Sequence, residues 1–213
     1  MSVKQFENNR WAKDGQVTCF RHEAALSMID KGVILDLGSG DGLFLTLLNK
    51  KGIKGNGLDI SEEGVFRTRE NGIEASVFDF NDKVPFEDNT FDYVSMLDLL
   101  EHLYTPQDLL MEATRVSKKF VIISVPNFSS LPARIQTLLG KVPENNQPKK
   151  GHVFWFNYLV LRKMADNAGL RLVEIRMNTF WQDYFLIGLI SKFMTKIWPS
   201  LFALSFVVKL EKK

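Results

Sequence analysis

Asp36 stands two residues ahead of the spaced glycines Gly38, Gly40 and Gly42 in ILDLGSGDGLF, residues 34–44. Glycine costs folding entropy, so three of them between two apolar runs mark a place that needs bare backbone. Asp41 adds a second carboxylate inside the loop. Two carboxylates disfavour a pyrophosphate and suit a ligand that carries positive charge. The spacing Gly-x-Gly-x-Gly is also one residue shorter than the Gly-x-Gly-x-x-Gly with which dinucleotide binders set helix amides against a pyrophosphate. Further on, Asp59 follows Gly40 by nineteen residues in GLDIS (57–61), and Asp79 precedes Phe80 in VFDF (77–80). An acid at the first position can accept both hydroxyls of a ribose. An acid at the second can accept from an exocyclic amino group while apolar neighbours pack on a purine face.

A further constellation, LDLLEH (97–102), holds Asp98, Glu101 and His102. His102 has an ordinary pKa near neutrality and could serve as a general base. The three together could bind a hard divalent ion. Glu101 and His102 could equally cap and tether the next helix. These readings stay open, and no metal site is assigned. His152 in KKGHVFWFN (149–157) either faces a substrate or packs in the core against Phe154, Trp155 or Phe156, and the core reading is preferred. Asp41 reads as a helix-start residue, and His22 is given no role.

The elements that position these residues alternate. Strand-like runs at 33–37, 53–61, 73–80, 91–97 and 119–126 are separated by helical patterns at 43–52, 62–72 and 105–117. Thr105 followed by Pro106 is a strong helix start. Near-continuous apolar strands between helices predict a doubly wound α/β fold with a mostly parallel sheet buried on both faces. Such sheets bind ligands at their carboxyl edge, where the acidic residues named above fall. Residues 127–155 form a looser stretch, expected to be a lid or substrate insertion. Helix 156–169 and strands at 170–178 and 201–211 complete a seven-stranded sheet whose last strand is antiparallel. The tract 184–208 predicts a core helix and then a core strand, since Lys192, Lys196 and Pro199 break it below the roughly 18 residues of a membrane span.

The 213 residues predict a single domain, 1–213, with a cofactor half at about 16–126, the insertion at 127–155 and C-terminal elements at 156–213. A net charge of +2 gives no electrostatic case for nucleic acid. The one cysteine, Cys19, excludes an intrachain disulfide and suits a cytoplasmic location. A ribose acid, an adenine-edge acid and an acidic glycine loop without a phosphate lysine describe S-adenosylmethionine, which has a sulfonium and an ammonium but no phosphate.

ILDLGSGDG, GLDIS, VFDF, FDYVSMLDLLEHL and VIISVPN, in this order, resemble the motifs of class I S-adenosylmethionine-dependent methyltransferases over roughly residues 20–210. SVPNFSSLPARIQTLLGKVP, GHVFWFN and MADNAGLRL are similar to MetW-type proteins associated with methionine biosynthesis. LDLLEHL looks like the O-methyltransferases of quinone biosynthesis. The resemblance implies that Leu37, Gly38, Ser39 and Gly40 approach the methionine part of the cofactor and that Asp36 helps receive its ammonium. It implies Asp59 on the ribose with Ile60 beside the adenine, Asp79 and Phe80 at the adenine, and Leu97 on the methionine side. The expected activity is in-line methyl transfer to a small molecule, with His102 as the catalytic candidate. Two alternatives stay open: a MetW-like cofactor-binding partner without methyl transfer of its own, and an NAD-dependent oxidoreductase. A homodimer or protein partner through the apolar C-terminal region is a further expectation.

Overall fold

In the computed structural model the described residues are 3–13, 15–180 and 185–213. Tyr184, the first residue of the apolar C-terminal tract, lies outside them. Among the described residues α1 spans Val3–Lys13 and α2 Phe20–Ser27. Then β1 (Val33–Leu37), α3 (Leu43–Lys50), β2 (Lys54–Asp59), α4 (Glu62–Glu70), β3 (Glu74–Val77) and β4 (Phe91–Leu97) alternate. They are followed by α5 (Pro106–Val116), β5 (Ser117–Pro126), α6 (Leu131–Leu138), α7 (Tyr158–Asn167), β6 (Leu170–Thr179), α8 (Phe185–Ile197), α9 (Pro199–Phe202) and β7 (Ala203–Lys212). The strands form one sheet in the order β3-β2-β1-β4-β5-β7-β6. β7 runs antiparallel to both neighbours, and the other pairings are parallel. This is the doubly wound seven-stranded sheet that the strand pattern predicts.

The apolar strands are continuous because alternate residues feed two cores. In β5, Val121, Ile123 and Val125 pack with Phe156 and Leu161, while Ile122 packs on the other face with Met28 and Leu45. In β1, Leu35 and Leu37 join the first core and Ile34 the second. Each such side chain contributes about 1.5–3 kcal/mol by leaving water. The central strands are therefore held from both sides, and the loops at their carboxyl ends start from fixed points.

β3 is shorter than the run 73–80 suggests. Asp79 Oδ1 accepts from Asn81 N at 3.0 Å, and the Asp79 carbonyl accepts from Asp82 N at 3.0 Å. This local turn competes with the ladder and ends the strand at Val77. Asp79 therefore hangs on a turn at the sheet edge rather than in a strand.

The predicted core helix of the C-terminal tract is turned the other way. In α8 the small polar Ser191 and Thr195 are buried, whereas Leu189, Ile190 and Phe193 are each more than 60% exposed. Small side chains let the helix lie close to its neighbours, and the apolar face points outward. The following strand is core as expected: Phe206, Val207 and Val208 are buried. No helix among the described residues is long and apolar enough to cross a membrane.

Candidate cofactor and acceptor site

A cavity of about 430 Å³ opens at the carboxyl edge of the sheet, within the range of small-molecule sites. Gly38, Asp59, Ile60, Asp79, Phe80, Leu97 and His102, all singled out in the sequence, line it. Asp36, Leu37, Ser39 and Gly40 are not among the lining residues.

The glycine loop is held by its own protein. Gly38 N and Ser39 N donate to the Leu58 carbonyl at 2.8 and 3.1 Å, and Gly42 N donates to the Ser39 carbonyl. Gly40 N donates to Asp59 Oδ2 at 2.7 Å, and Ser61 N to Asp59 Oδ1 at 2.8 Å. Asp41 Oδ1 accepts from Leu43 N, in keeping with its place before α3, and its Oδ2 accepts from Gln16 N at 2.6 Å. That second bond ties the N-terminal segment to the loop. Gly40 has φ +55°, and a Cβ there would come within 2.5 Å of the Trp11 ring. Glycine is needed at this point both for its left-handed backbone and for the indole that covers it.

Asp36 is buried, and Ser95 Oγ donates to its Oδ1 at 2.6 Å. Burial pushes its pKa up to about 7; the Ser95 bond opposes this and the charge of Asp59 adds to it. Burial likewise raises the Asp59 pKa, against the backbone amides of Ser61, Gly40 and Ile60 and the charge of Arg10. The Asp59 oxygens keep acceptor capacity beyond these amides.

At the other end of the cavity, a short 3-10 turn at Leu100–His102 follows β4. The turn begins after Asp98, which has φ +52° and is anchored by the Ser124 hydroxyl and by Arg21 at 3.1 Å. Glu101 is 1% exposed. Its carbonyl accepts from Val153 N at 2.8 Å and Phe154 N at 3.0 Å. These two bonds bring His152 over the turn, with its Nε2 4.0 Å from Glu101 Oε1. The His102 and His152 rings meet edge-on at 4.9 Å, and Phe128 stands against His152. His102 Nδ1 faces the Gly151 carbonyl at 3.2 Å, and His152 Nδ1 faces the Asn145 carbonyl at 2.7 Å. Burial, with His152 nearby, lowers the His102 pKa to about 4, and burial lowers that of His152. Burial, with the charge of Asp98 adding, raises Glu101 well above the carboxylate range. Glu101 Oε2 is buried without a hydrogen-bond partner among the described residues.

His152 is thus a wall of the cavity rather than a core residue. The sequence reading also passed over Phe6, Glu7, Arg10 and Trp11 of α1, which line the same cavity. The signal for them was the buried Trp11 in an otherwise polar segment, whose target, Gly40, is distant in sequence. His22 is buried and accepts from Cys19 N at the start of α2, a capping role.

The family model described as "Methionine biosynthesis protein MetW" matches residues 21–179. A bifunctional methionine biosynthesis protein MetXA/MetW of Rhodopirellula baltica is 31% identical over 176 residues. That match covers 75% of this chain but 28% of the relative, so the chain spans about a quarter of that protein's length. An uncharacterized protein of Methanocaldococcus jannaschii, MJ1123, is 28% identical with 82% of each chain covered. Among solved structures, the magnesium protoporphyrin IX methyltransferase ChlM of Synechocystis PCC 6803 with bound SAH superposes with TM-score 0.71 at 15% identity. It covers 99% of this chain and 98% of its own. A SAM-dependent methyltransferase of Archaeoglobus fulgidus gives TM-score 0.63 at 18% identity, covering 99% of this chain and all of its own. The fold is that of the class I methyltransferases.

Proposed function

We propose that this chain, which belongs to the MetW family, binds S-adenosylmethionine in the edge cavity and transfers its methyl group to a small-molecule acceptor. The observation that carries the reading is the inward use of the glycine-loop amides. Gly38, Ser39, Gly40, Gly42 and Leu43 all donate to protein oxygens. A pyrophosphate would need such amides free, which disfavours an NAD-dependent oxidoreductase.

The residues fit the cofactor's parts. Asp59 keeps acceptor capacity for ribose hydroxyls, with Ile60 beside it. Asp79 and Phe80 offer an acceptor and an apolar face for the adenine. Gly38 and Leu97 border the methionine side, and Leu37, Ser39 and Gly40 shape the loop. Asp36, beneath the loop, is a reluctant carboxyl that the nearby ammonium of the cofactor would hold in its charged form. The cofactor supplies an electrophilic methyl on a sulfonium; the chain aligns it and excludes water, with α1 covering the loop. Residues 16–126 serve as the cofactor half and 127–155 as the acceptor-side insertion. His102 stands on the acceptor side. Its low pKa makes it a weak proton acceptor, so positioning of the acceptor carries more of the rate than base catalysis.

Titration calorimetry with S-adenosylhomocysteine and with NAD tests this. Binding of the first alone is expected; binding of NAD alone overturns the reading. A second reading, a cofactor-binding partner of another enzyme, is favoured by the outward apolar face of α8 and by the fused name of the Rhodopirellula relative. A panel of small acceptors with labelled methyl donor separates the two. Silence across the panel, together with firm S-adenosylhomocysteine binding and loss of partner capture in Phe193→Lys, supports the partner reading.

A further inference from the structure

The geometry points to a divalent transition-metal site formed by Glu101, His102 and His152. One potential ligand atom from each of the three lies within 4.8 Å of the others. Bonds of about 2.0–2.2 Å to a first-row ion place donors roughly 3–3.6 Å apart. The three groups therefore close on an ion by movements of about 1 Å.

Three independent features make this a built site. First, Glu101 is buried, and its Oε2 has no hydrogen-bond partner among the described residues. A buried carboxylate oxygen without a donor is costly, and an ion would supply what is missing. Second, each imidazole faces a backbone carbonyl through Nδ1, at Gly151 and at Asn145. Those contacts place the proton on Nδ1 and leave the Nε2 lone pair free, which is how outer hydrogen bonds prepare histidine as a ligand. Third, the main chain fixes the register of the two segments. Val153 N and Phe154 N both bond the Glu101 carbonyl, so His152 is set over the turn that carries Glu101 and His102.

Two imidazoles and one carboxylate favour ions such as zinc, iron, cobalt or nickel over magnesium or calcium. All three residues line the cavity, so further positions of the ion face the space where an acceptor would sit. The ion's use, to hold an acceptor's hydroxyl or amine opposite the methyl donor, rests on the methyltransferase reading above. Its binding does not.

The test uses the full untagged chain, freed of metal with a chelator and titrated with cobalt(II) and zinc at pH 7.5. One ion per chain is expected, with zinc displacing cobalt and millimolar magnesium displacing neither. Glu101→Gln and His152→Gln should each weaken zinc binding at least tenfold while keeping a cooperative melting transition. Imidazole spectra of the wild-type chain avoid any folding defect. The chain has three histidines, and zinc should shift His102 and His152 but not His22. Absence of stoichiometric binding, unchanged zinc affinity in both variants, or a shift confined to His22 overturns the site. S-adenosylhomocysteine binding measured on the same wild-type sample keeps the two readings apart. Zinc without that ligand leaves the metal site standing and removes the cofactor reading; that ligand without zinc does the reverse.

Discussion

At the glycine-loop end of the cavity Asp59 takes a backbone N–H on each oxygen, whereas at the histidine end Glu101 keeps an oxygen with no donor. Both carboxylates are buried and both have raised pKa values, for the same reason, burial. They differ in what surrounds them. The first end comes from three consecutive strand ends, and its loop amides and Asp59 are satisfied through main-chain bonds, which leaves only the Ser39 hydroxyl there without a partner among the described residues. The second is stapled together from segments about fifty positions apart and leaves its ligating atoms free. One end is a rigid frame that needs bare surface for a ligand to lie on. The other is a set of donors whose polar demand is met from outside the chain.

The contrast breaks most severely at Asp59. Asp59→Ala strands the buried Gly40 and Ser61 amides. Charge-assisted bonds of this kind are worth roughly 1.5–3 kcal/mol each, so a loss of about 3–5 kcal/mol is expected in urea unfolding. S-adenosylhomocysteine affinity should fall at least tenfold. A stability loss under 1 kcal/mol would show that the loop does not depend on this frame.

Asp36 gives the next largest effect, with the opposite sign. Its folded pKa, raised from 3.8 to about 7, favours the neutral form in the native state. Its contribution is therefore fully present below about pH 4 and is lost as pH rises toward and through 7. Asp36→Asn keeps an oxygen for the Ser95 hydroxyl and removes the ionisation cost. We expect the ligand-free variant to be about 2–4 kcal/mol more stable than the parent at pH 8 and nearly equal to it at pH 4. A stability difference that does not grow between those pH values would contradict the buried, reluctant carboxyl.

The same contrast explains what was legible in the sequence. The frame was readable because its parts are local: glycine spacing, an acid at a strand end, an acid beside Phe80 that also reaches the cavity. The sheet was readable because β1, β4 and β5 are apolar on both faces. β3 was overextended because the Asp79–Asn81 turn, a matter of two side chains, ends it early. The histidine end was half legible. Asp98, Glu101 and His102 announce themselves by proximity, but Asp98 is held by Arg21 and Ser124, and His152 takes its place through main-chain bonds that no spacing reveals. The α1 cover was missed because a polar helix carries no periodic signal, and α8 because apolar content does not say which way a helix faces.

The covering helix supplies a smaller test. In Gly40→Ala the new methyl would lie 2.5 Å from the Trp11 ring at a backbone φ of +55°. Left-handed alanine alone costs roughly 1–2 kcal/mol, and the indole must also move. A total loss of about 1–3 kcal/mol is expected, with red-shifted tryptophan emission and faster proteolysis within residues 3–13. Unchanged emission would mean that Trp11 does not seat on the loop in solution.

The smallest effect belongs to the histidine end and depends on pH. Burial lowers the His102 pKa from 6.5 to about 4, so protonation is disfavoured in the native state. Its contribution to stability is present above pH 6.5 and is lost as pH falls toward 4. At pH 5 the cost is about 1–2 kcal/mol relative to pH 8. His102→Gln should therefore flatten part of the decline in stability between pH 8 and 5, by about the same 1–2 kcal/mol. The lowered pKa values of His22 and His152 add to this decline, and the raised values of Asp36 and Glu101 oppose it. Saturating zinc sharpens the measurement. Protons and the ion compete for the same nitrogens, so zinc should stabilise the parent at pH 7.5, lose that effect by pH 5, and do little for His102→Gln at either pH. Equal stabilisation of parent and variant would place the zinc elsewhere and leave the histidine end a purely structural staple.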